Sequence, residues 1–306
     1  MKEITVIIPV FNSQDIILET ITSLVEHLNS IKQPYEIILV NDGSTDGSNI
    51  ILNEIYNKFD NLKIINLLKN YGQHSAILCG MKFAEGNYII TMDDDLQNPP
   101  NEISKLYHKI LEGYDLVFAK FNNKMHPEYR KIGTKIIKLL NEIIFHKPKD
   151  IEITNFRIFK NDVAKRVLNH KSFDPYIPGL LLLYSSKIGN VTTEHKERTI
   201  GKSNYTLRKI FNLVSRLLFN YTTFPLNFII IIGFIVSLLS LFLGLYFILK
   251  HILIGTSVPG WTSIAVLISF FTSIILMAFG VVGQYLIRII KQNSNMEPYQ
   301  IKSKKI

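Results

Sequence analysis

With 306 residues, 47% of them apolar, the chain has room for one sizeable domain plus an accessory region, and its single cysteine, Cys79, excludes an intramolecular disulfide and fits a reducing compartment. The net charge of +9 is unevenly placed: residues 1–119 hold 8 Lys/Arg against 16 Asp/Glu, 120–171 hold 13 against 5, and 172–216 hold 7 against 3. An acidic half followed by a basic half is not the footprint of a nucleic-acid binder, in which basic and aromatic residues interleave on one surface.

In chain order, the apolar start is no signal peptide, because it is short, interrupted by Pro9 and preceded by Lys2 and Glu3. Short β-branched runs at 4–9, 35–41, 62–67, 88–92 and 115–119 read as strands buried on both faces. Amphipathic stretches at 15–29, 46–59, 74–84 and 100–112 separate them as helices. Repeated βα units predict an α/β fold with a doubly wound, mostly parallel sheet whose ligands bind at the carboxyl ends of the strands. His74 and Cys79 fall in a predicted helix and read as structural.

Further on, 130–145 places Ile132, Ile136, Leu139, Leu140, Ile143 and Ile144 on one face, and 207–221 repeats the pattern. The first helix can pack on a core or lie at a membrane surface; the second runs straight into an apolar stretch and reads as interfacial. Residues 217–249 and 252–287 contain no Asp, Glu, Lys or Arg, and each exceeds the roughly 20 residues that cross a bilayer. They predict two spans at 225–249 and 261–290. Arg208, Lys209 and Arg216 precede the first and Arg288 and Lys291 follow the second, which predicts both termini in the cytoplasm.

Two turns carry the chemistry. Met92-Asp93-Asp94-Asp95-Leu96-Gln97-Asn98-Pro99-Pro100 follows a buried strand. Three adjacent carboxylates repel one another unless solvated or neutralised, and Asp93 and Asp95, two apart, project to one side of an extended backbone. Such oxygen ligands suit Mg²⁺ or Mn²⁺, with diphosphate oxygens completing the shell. The second turn, Asn41-Asp42-Gly43-Ser44-Thr45-Asp46, also leaves a strand, with Asp42 placed for a base or ribose and Gly43 for a tight turn. Gly201-Lys202-Ser203 is no P-loop, because the earlier glycine would fall at Lys196.

Ile8-Pro9-Val10-Phe11-Asn12, the Asp42 turn, Asn70-Tyr71-Gly72-Gln73-His74 and the Asp93–Pro100 run together resemble the inverting family 2 glycosyltransferases. Arg198-Thr199-Ile200-Gly201-Lys202-Ser203-Asn204-Tyr205 and Gly280-Val281-Val282-Gly283-Gln284-Tyr285 with Arg288 are similar to motifs of the polyprenyl-phosphate branch, so the likeness spans nearly the whole chain. That branch includes dolichyl-phosphate mannose synthases, bactoprenol glucosyltransferases and undecaprenyl-phosphate aminoarabinose transferases. The Asn70–His74 motif is nearest the last of these.

The resemblance implies a GT-A domain with a nucleotide-sugar-binding half at 1–120 and an acceptor-side half at 121–205. A juxtamembrane helix at 206–224, two transmembrane helices at 225–290 and a cytoplasmic tail at 291–306 would follow. It implies nucleotide-sugar contacts by Pro9, Phe11, Asp42, Asp93 and Asp94, and a Mg²⁺ or Mn²⁺ site at Asp93, Asp95 and Gln97. Lys120, Arg130, Arg198 and Lys202 would meet phosphates, with Asp95 and Arg198 catalytic. The partners implied are a nucleotide-sugar donor, a polyprenyl phosphate acceptor, the bilayer and further copies of the chain through the C-terminal region.

Lys120 replaces a common Arg, turning a bidentate clamp into a point charge. Asn155-Phe156-Arg157 stands where glucosyltransferase members carry Asp-Phe-Arg. Two other readings stay open: transfer to a saccharide or another lipid, and a non-catalytic, membrane-anchored nucleotide-binding protein. The Gln-x-x-Arg-Trp element of processive synthases is missing, since the one tryptophan, Trp261, follows Gly260.

Overall fold

The computed structural model describes residues 2–121, 128–170, 172–194, 207–254, 260–293 and 297–306. They form two compact units, one of Met1–Thr206 with Met296–Ile306, the other of Leu207–Asn295.

The first unit is built on an eight-stranded sheet. Its strands are β1 (Ile4–Val10), β2 (Tyr35–Asn41), β3 (Leu62–Leu67), β4 (Tyr88–Thr91), β5 (Leu116–Phe121), β6 (Arg157–Lys160), β7 (Ile188–Thr193) and β8 (Ile301–Lys305). They lie in the order β7-β5-β6-β4-β1-β2-β3-β8. Four of the seven pairings are parallel; β6 runs against both neighbours and β8 against β3. All seven residues of β1 are buried, as a strand covered on both faces requires. The helices α1 (Ile17–Ile31), α2 (Ser48–Lys58), α3 (Gln73–Lys82) and α4 (Ile103–Leu111) connect the first five strands. Helix α1 shows why: Ile17, Ile21, Leu24 and Leu28 recur at helical spacing and all are buried in the core.

Both halves of the expected catalytic domain thus share one sheet. The five strands anticipated in 1–119 are present, whereas β6, β7 and β8 were not anticipated. The segment 291–306, read as a tail, ends in β8, which completes the sheet of the first unit.

A buried ion cluster closes the end of the sheet away from the strands' carboxyl termini. Glu36 is 1% exposed; its Oε1 accepts from the Thr5 hydroxyl at 2.7 Å and the Glu85 N–H at 2.7 Å, and Lys63 Nζ lies 2.8 Å from Oε2. Lys63 keeps the Glu85 carboxylate at 2.6 Å, so Glu36→Ala strands the Thr5 hydroxyl and the Glu85 N–H and is expected to cost about 2 kcal/mol and to lower the melting midpoint of this unit by about 4–8 °C. Cys79 supplies the readout. It is fully buried in α3, burial pushes its thiol up to about 12, and it is the chain's one cysteine. Alkylation during a heat ramp therefore reports the first unit alone; native protein should stay unlabelled at pH 8, and equal midpoints for the variant and wild type would refute the cluster's role.

In the first unit, the chain also contains α5 (Glu128–Ile144), α6 (Asn161–Leu168) and α7 (Ile177–Leu183). On α5, Asn141 is buried while Ile136, Leu139 and Ile143 are exposed. Core packing therefore does not account for Ile136, Leu139 and Ile143, while Leu140 and Ile144 are half-buried.

The second unit holds α8 (Leu207–Tyr221), α9 (Phe224–Ile254) and α10 (Trp261–Asn293). Helix α8 meets α9 at a bend of 78°. The bend is tied to α10: the Tyr285 hydroxyl donates to the Thr222 carbonyl and Arg288 Nη1 to the Phe219 carbonyl, both at 2.9 Å. These bonds satisfy carbonyls that the end of α8 leaves unpaired. Large apolar side chains such as Phe228, Phe234, Leu253, Met277 and Phe279 are exposed along α9 and α10. Among the described residues, Phe270–Ile290 is long and apolar enough to cross a membrane by itself.

Candidate active site

The carboxyl ends of β1, β2 and β4 and the start of β6 surround a cavity of about 300 Å³. Pro9, Phe11, Asp42, Asn70, Gly72, Gln73, Asp93, Asp94, Asp95 and Asn155 line it. Beyond β4 the backbone leaves the sheet, with Leu96 in the left-handed region at φ 56° and Pro99 and Pro100 leading into a 3₁₀ turn. The acidic triplet is held between the strand and this turn, half-buried.

Each carboxylate is individually tethered. Asp93 Oδ1 accepts from the Gln73 amide, and the Asn155 amide lies 3.4–3.5 Å from both Asp93 oxygens. Asp94 accepts from the Ser13 hydroxyl, and Asp95 Oδ1 accepts the Gln97 N–H at 3.2 Å. Burial, then the charges of Asp95 and Asp94, push Asp93 up to about 6 against the two amides. Asp94 is raised as well, mainly by burial.

Behind Asp93 stands Arg157, fully buried on β6. Its Nη1 donates to the Thr154 carbonyl at 3.4 Å, while Nε and Nη2 have no partner among the described residues. Burial lowers this guanidinium to about 10, against the opposing pull of the Asp93 charge.

Asp42 organises the neighbouring loop. Its two oxygens accept the backbone N–H groups of Tyr71 at 2.7 Å and Gly72 at 2.8 Å; burial raises its pKa and these bonds partly offset the rise. Gly72 lies at φ 91°, ψ 154°, a region essentially confined to glycine. A second cavity of about 500 Å³ adjoins the first and shares Phe11 and Asn70 with it. It is closed on one side by Gly43–Thr45 and on another by Leu67–Asn70. A two-lobed cleft at the strand ends, one lobe acidic and one lined by amides and hydroxyls, suits a ligand with a base at one end and phosphates at the other.

Residues 5–175 match the profile described as Glycosyl transferase family 2. The chain belongs to this family. As a family 2 glycosyltransferase it is 32% identical over 293 residues to the undecaprenyl-phosphate 4-deoxy-4-formamido-L-arabinose transferase of Yersinia pestis (strain Pestoides F), covering 94% of this chain and 89% of that one. The enzyme of the same description from Proteus mirabilis (strain HI4320) is 30% identical over 292 residues, covering 94% and 90%. In fold, the transferase is similar to glucosyl-3-phosphoglycerate synthase from Mycobacterium tuberculosis, solved with Mn²⁺, uridine diphosphate and phosphoglyceric acid. The TM-score is 0.52, at 15% identity over 71% of this chain and 76% of that one. The α/β domain is thus GT-A-like.

In the family 2 transferase, Pro9, Phe11, Asp42, Asp93, Asp94 and Asp95 converge on the acidic lobe. Gln97 meets it through its backbone bond to Asp95. Lys120 lies at the end of β5 with its ammonium 3.8 Å from Glu152, and it does not line either cavity. Arg198 and Lys202 lie outside the described residues, as does the side chain of Arg130.

Sequence reasoning missed Ser13, the tethering by Gln73 and the burial of Arg157. Gln73 and Arg157 stood inside quoted motifs, but which carboxylate each faces depends on contacts across about 20 to 65 residues. Among the described residues, no three His, Cys, Asp or Glu side chains are grouped to hold an ion unaided. The oxygen-only donor set of Asp93 and Asp95, with Asp93 raised by burial and then by its neighbours' charge, still fits a hard divalent cation that draws further ligands from a substrate.

Proposed function

We propose that this family 2 glycosyltransferase moves a sugar from a nucleoside diphosphate donor to a polyprenyl phosphate at a membrane surface, with inversion at the anomeric carbon. The observation that carries the reading is that the side chain set beside Asp93, 3.4–3.5 Å from its oxygens, is the amide of Asn155, which cannot take up a proton. An alcohol acceptor must lose a proton as it attacks and calls for a general base. A lipid phosphate is ionised near neutral pH and needs none. Asn155, an amide beside Asp93, suits that acceptor. The relatives named for transfer to undecaprenyl phosphate support the same choice.

In this reading Pro9 and Phe11 flank the nucleoside, and Asp42 holds the 71–72 backbone against it. Asp93 and Asp95, with Gln97, would hold Mg²⁺ or Mn²⁺; when bound, the cation offsets the charge that develops on the departing diphosphate. Gln73 and Asn155 keep the Asp93 carboxylate oriented, and Ser13 does so for Asp94. Arg130, Arg198 and Lys202, with Lys120 outside the two lobes on the acceptor side, bring the two anions together, and attack from the face opposite the leaving group inverts the sugar. Helices α9 and α10 span the bilayer, the exposed stripe of α5 lies at its surface, and both termini are cytoplasmic.

The test is release of nucleoside diphosphate in detergent from a panel of UDP- and GDP-sugars, including a UDP-linked 4-formamido pentose, with and without undecaprenyl phosphate. Release that requires both the lipid phosphate and a divalent cation is expected. Asn155→Ala should keep at least about a tenth of the rate, since it removes orientation of Asp93 rather than a proton acceptor. A dead Asn155→Ala variant that still binds donor would count against the phosphate acceptor, as would donor turnover indifferent to lipid.

A further inference from the structure

The larger, amide-lined lobe has a wall from an unexpected part of the chain. Lys302 and Ser303 of β8 line it, although they follow the helical unit and stand over 200 residues from the rest of its lining. Their segment is firmly seated. Tyr299 is 4% exposed, the Leu68 N–H donates to the Gln300 carbonyl at 2.9 Å, and β8 pairs with β3 from Ile64 to Leu67.

Neighbouring residues on a regular strand point to opposite faces, so one cavity should receive Lys302 or Ser303, not both. The pairing resolves this. Ser303 is opposite Asn66, yet Leu67, the next residue of β3, is opposite Ile301. Lys302 is the extra residue of a bulge, a device that re-aims a side chain.

Ser303 also terminates a polar ladder across three strands. The Ser44 N–H donates to Asn41 Oδ1 at 3.0 Å, Asn41 Nδ2 to Asn66 Oδ1 at 2.9 Å, and Asn66 Nδ2 to Ser303 Oγ at 3.1 Å. Each amide oxygen is taken by the previous donor, so every link points outward. Ser303 accepts from Asn66 and keeps its own O–H to donate, and aligned links of this kind strengthen one another.

We propose that the bulge of β8 presents the Ser303 hydroxyl and the Lys302 ammonium as two donors to the donor substrate's nucleobase, making the C-terminal strand a determinant of base specificity. Two donors select a base edge carrying a carbonyl oxygen, as in uracil or guanine, and disfavour an amino group at the same place, as in cytosine. The inference rests on the reading of the cleft as a nucleotide-sugar site.

The test uses the full chain in detergent and titrates UDP, GDP and CDP by calorimetry. Wild type is expected to bind UDP or GDP more tightly than CDP. Ser303→Ala and Lys302→Met should each weaken the preferred nucleotide about 5- to 20-fold, as loss of a hydrogen bond to a ligand does, and shrink its margin over CDP. Competition by inorganic pyrophosphate and protection of Cys79 from alkylation should not change, which separates loss of base contact from damage to the fold. Lys304→Met is the control, since Lys304 Nζ sits 5.3 Å from the centre of the Phe83 ring. Variants that bind and discriminate like Lys304→Met would overturn the inference and leave the donor reading standing. A wild-type protein that binds none of the three nucleotides would overturn both.

Discussion

Asp95→Ala is expected to lower lipid-dependent sugar transfer by a factor on the order of 10³ or more while leaving the catalytic unit folded. The two effects separate because the side chain's structural and chemical duties differ in size. Structurally, Asp95 accepts the Gln97 N–H at 3.2 Å and steadies a turn whose middle residue, Leu96, is left-handed. Loss of one such half-buried bond costs roughly 1 kcal/mol. Removing a charge also relieves its neighbours, since Asp95 helps to raise both Asp93 and Asp94. Chemically, on the proposed reading, the truncation deletes one of two carboxylates that would hold a divalent cation against a departing diphosphate. The assay is initial-rate release of nucleoside diphosphate, with Cys79 protection measured on the same preparation. More than about a tenth of wild-type activity in a folded variant would remove Asp95 from the metal role, because a ligand to a catalytic cation is not so lightly spared.

Gly43→Ala is expected to weaken nucleotide binding at least about tenfold and to destabilise the first unit by about 1–2 kcal/mol. Gly43 has φ 65°, where a Cβ meets the backbone carbonyl that follows. Space is the second obstacle. A Cβ built there would come within 2.4 Å of the Lys69 carbonyl carbon and 2.6 Å of the Asn70 nitrogen. These are backbone atoms, so no rotamer change relieves the contact, and the 69–70 segment must move. That segment lines both lobes of the cleft through Asn70 and leads into the Tyr71 and Gly72 N–H groups held by Asp42. One methyl group thus disturbs the amide-lined lobe and the acidic lobe together. Calorimetric titration with whichever of UDP and GDP the wild type prefers measures the binding loss, and Cys79 labelling in a heat ramp measures the stability loss. Unchanged affinity would mean that the 69–70 backbone does not contact the nucleotide.

The candidate site was legible in part, and the division follows sequence distance. The acidic turn and the Asp42 turn each sit at the end of one strand, and short-range pattern exposed both, whereas the Asn70–His74 motif stood out only through the family resemblance. Lys120 shows the limit. Its place at the end of β5 was readable, but its contact with Glu152 and its absence from both cavities depend on how β5, β6 and β7 are stacked. Arg157 was read as part of a motif, and only its burial behind Asp93 makes it a counter-charge to that carboxylate.

By itself the sequence determined the first five strands, the helices between them, the acidic turn and the apolar character of α9 and α10. These follow from side-chain period, hydropathy and turn chemistry, all of which act within a few residues. Tertiary structure alone decided the rest of the sheet. Strand β6 has four residues, and β8, Ile-Lys-Ser-Lys-Lys, is exposed throughout and carries no buried alternation to announce it. Its conformation comes from the open backbone edge of β3, which offers N–H and C=O groups to any segment brought alongside. The chain brings residues 301–305 there after the whole helical unit, and Asn66 meets Ser303 across 237 positions. No local preference encodes such a pairing, because its free energy exists only once both partners have been placed.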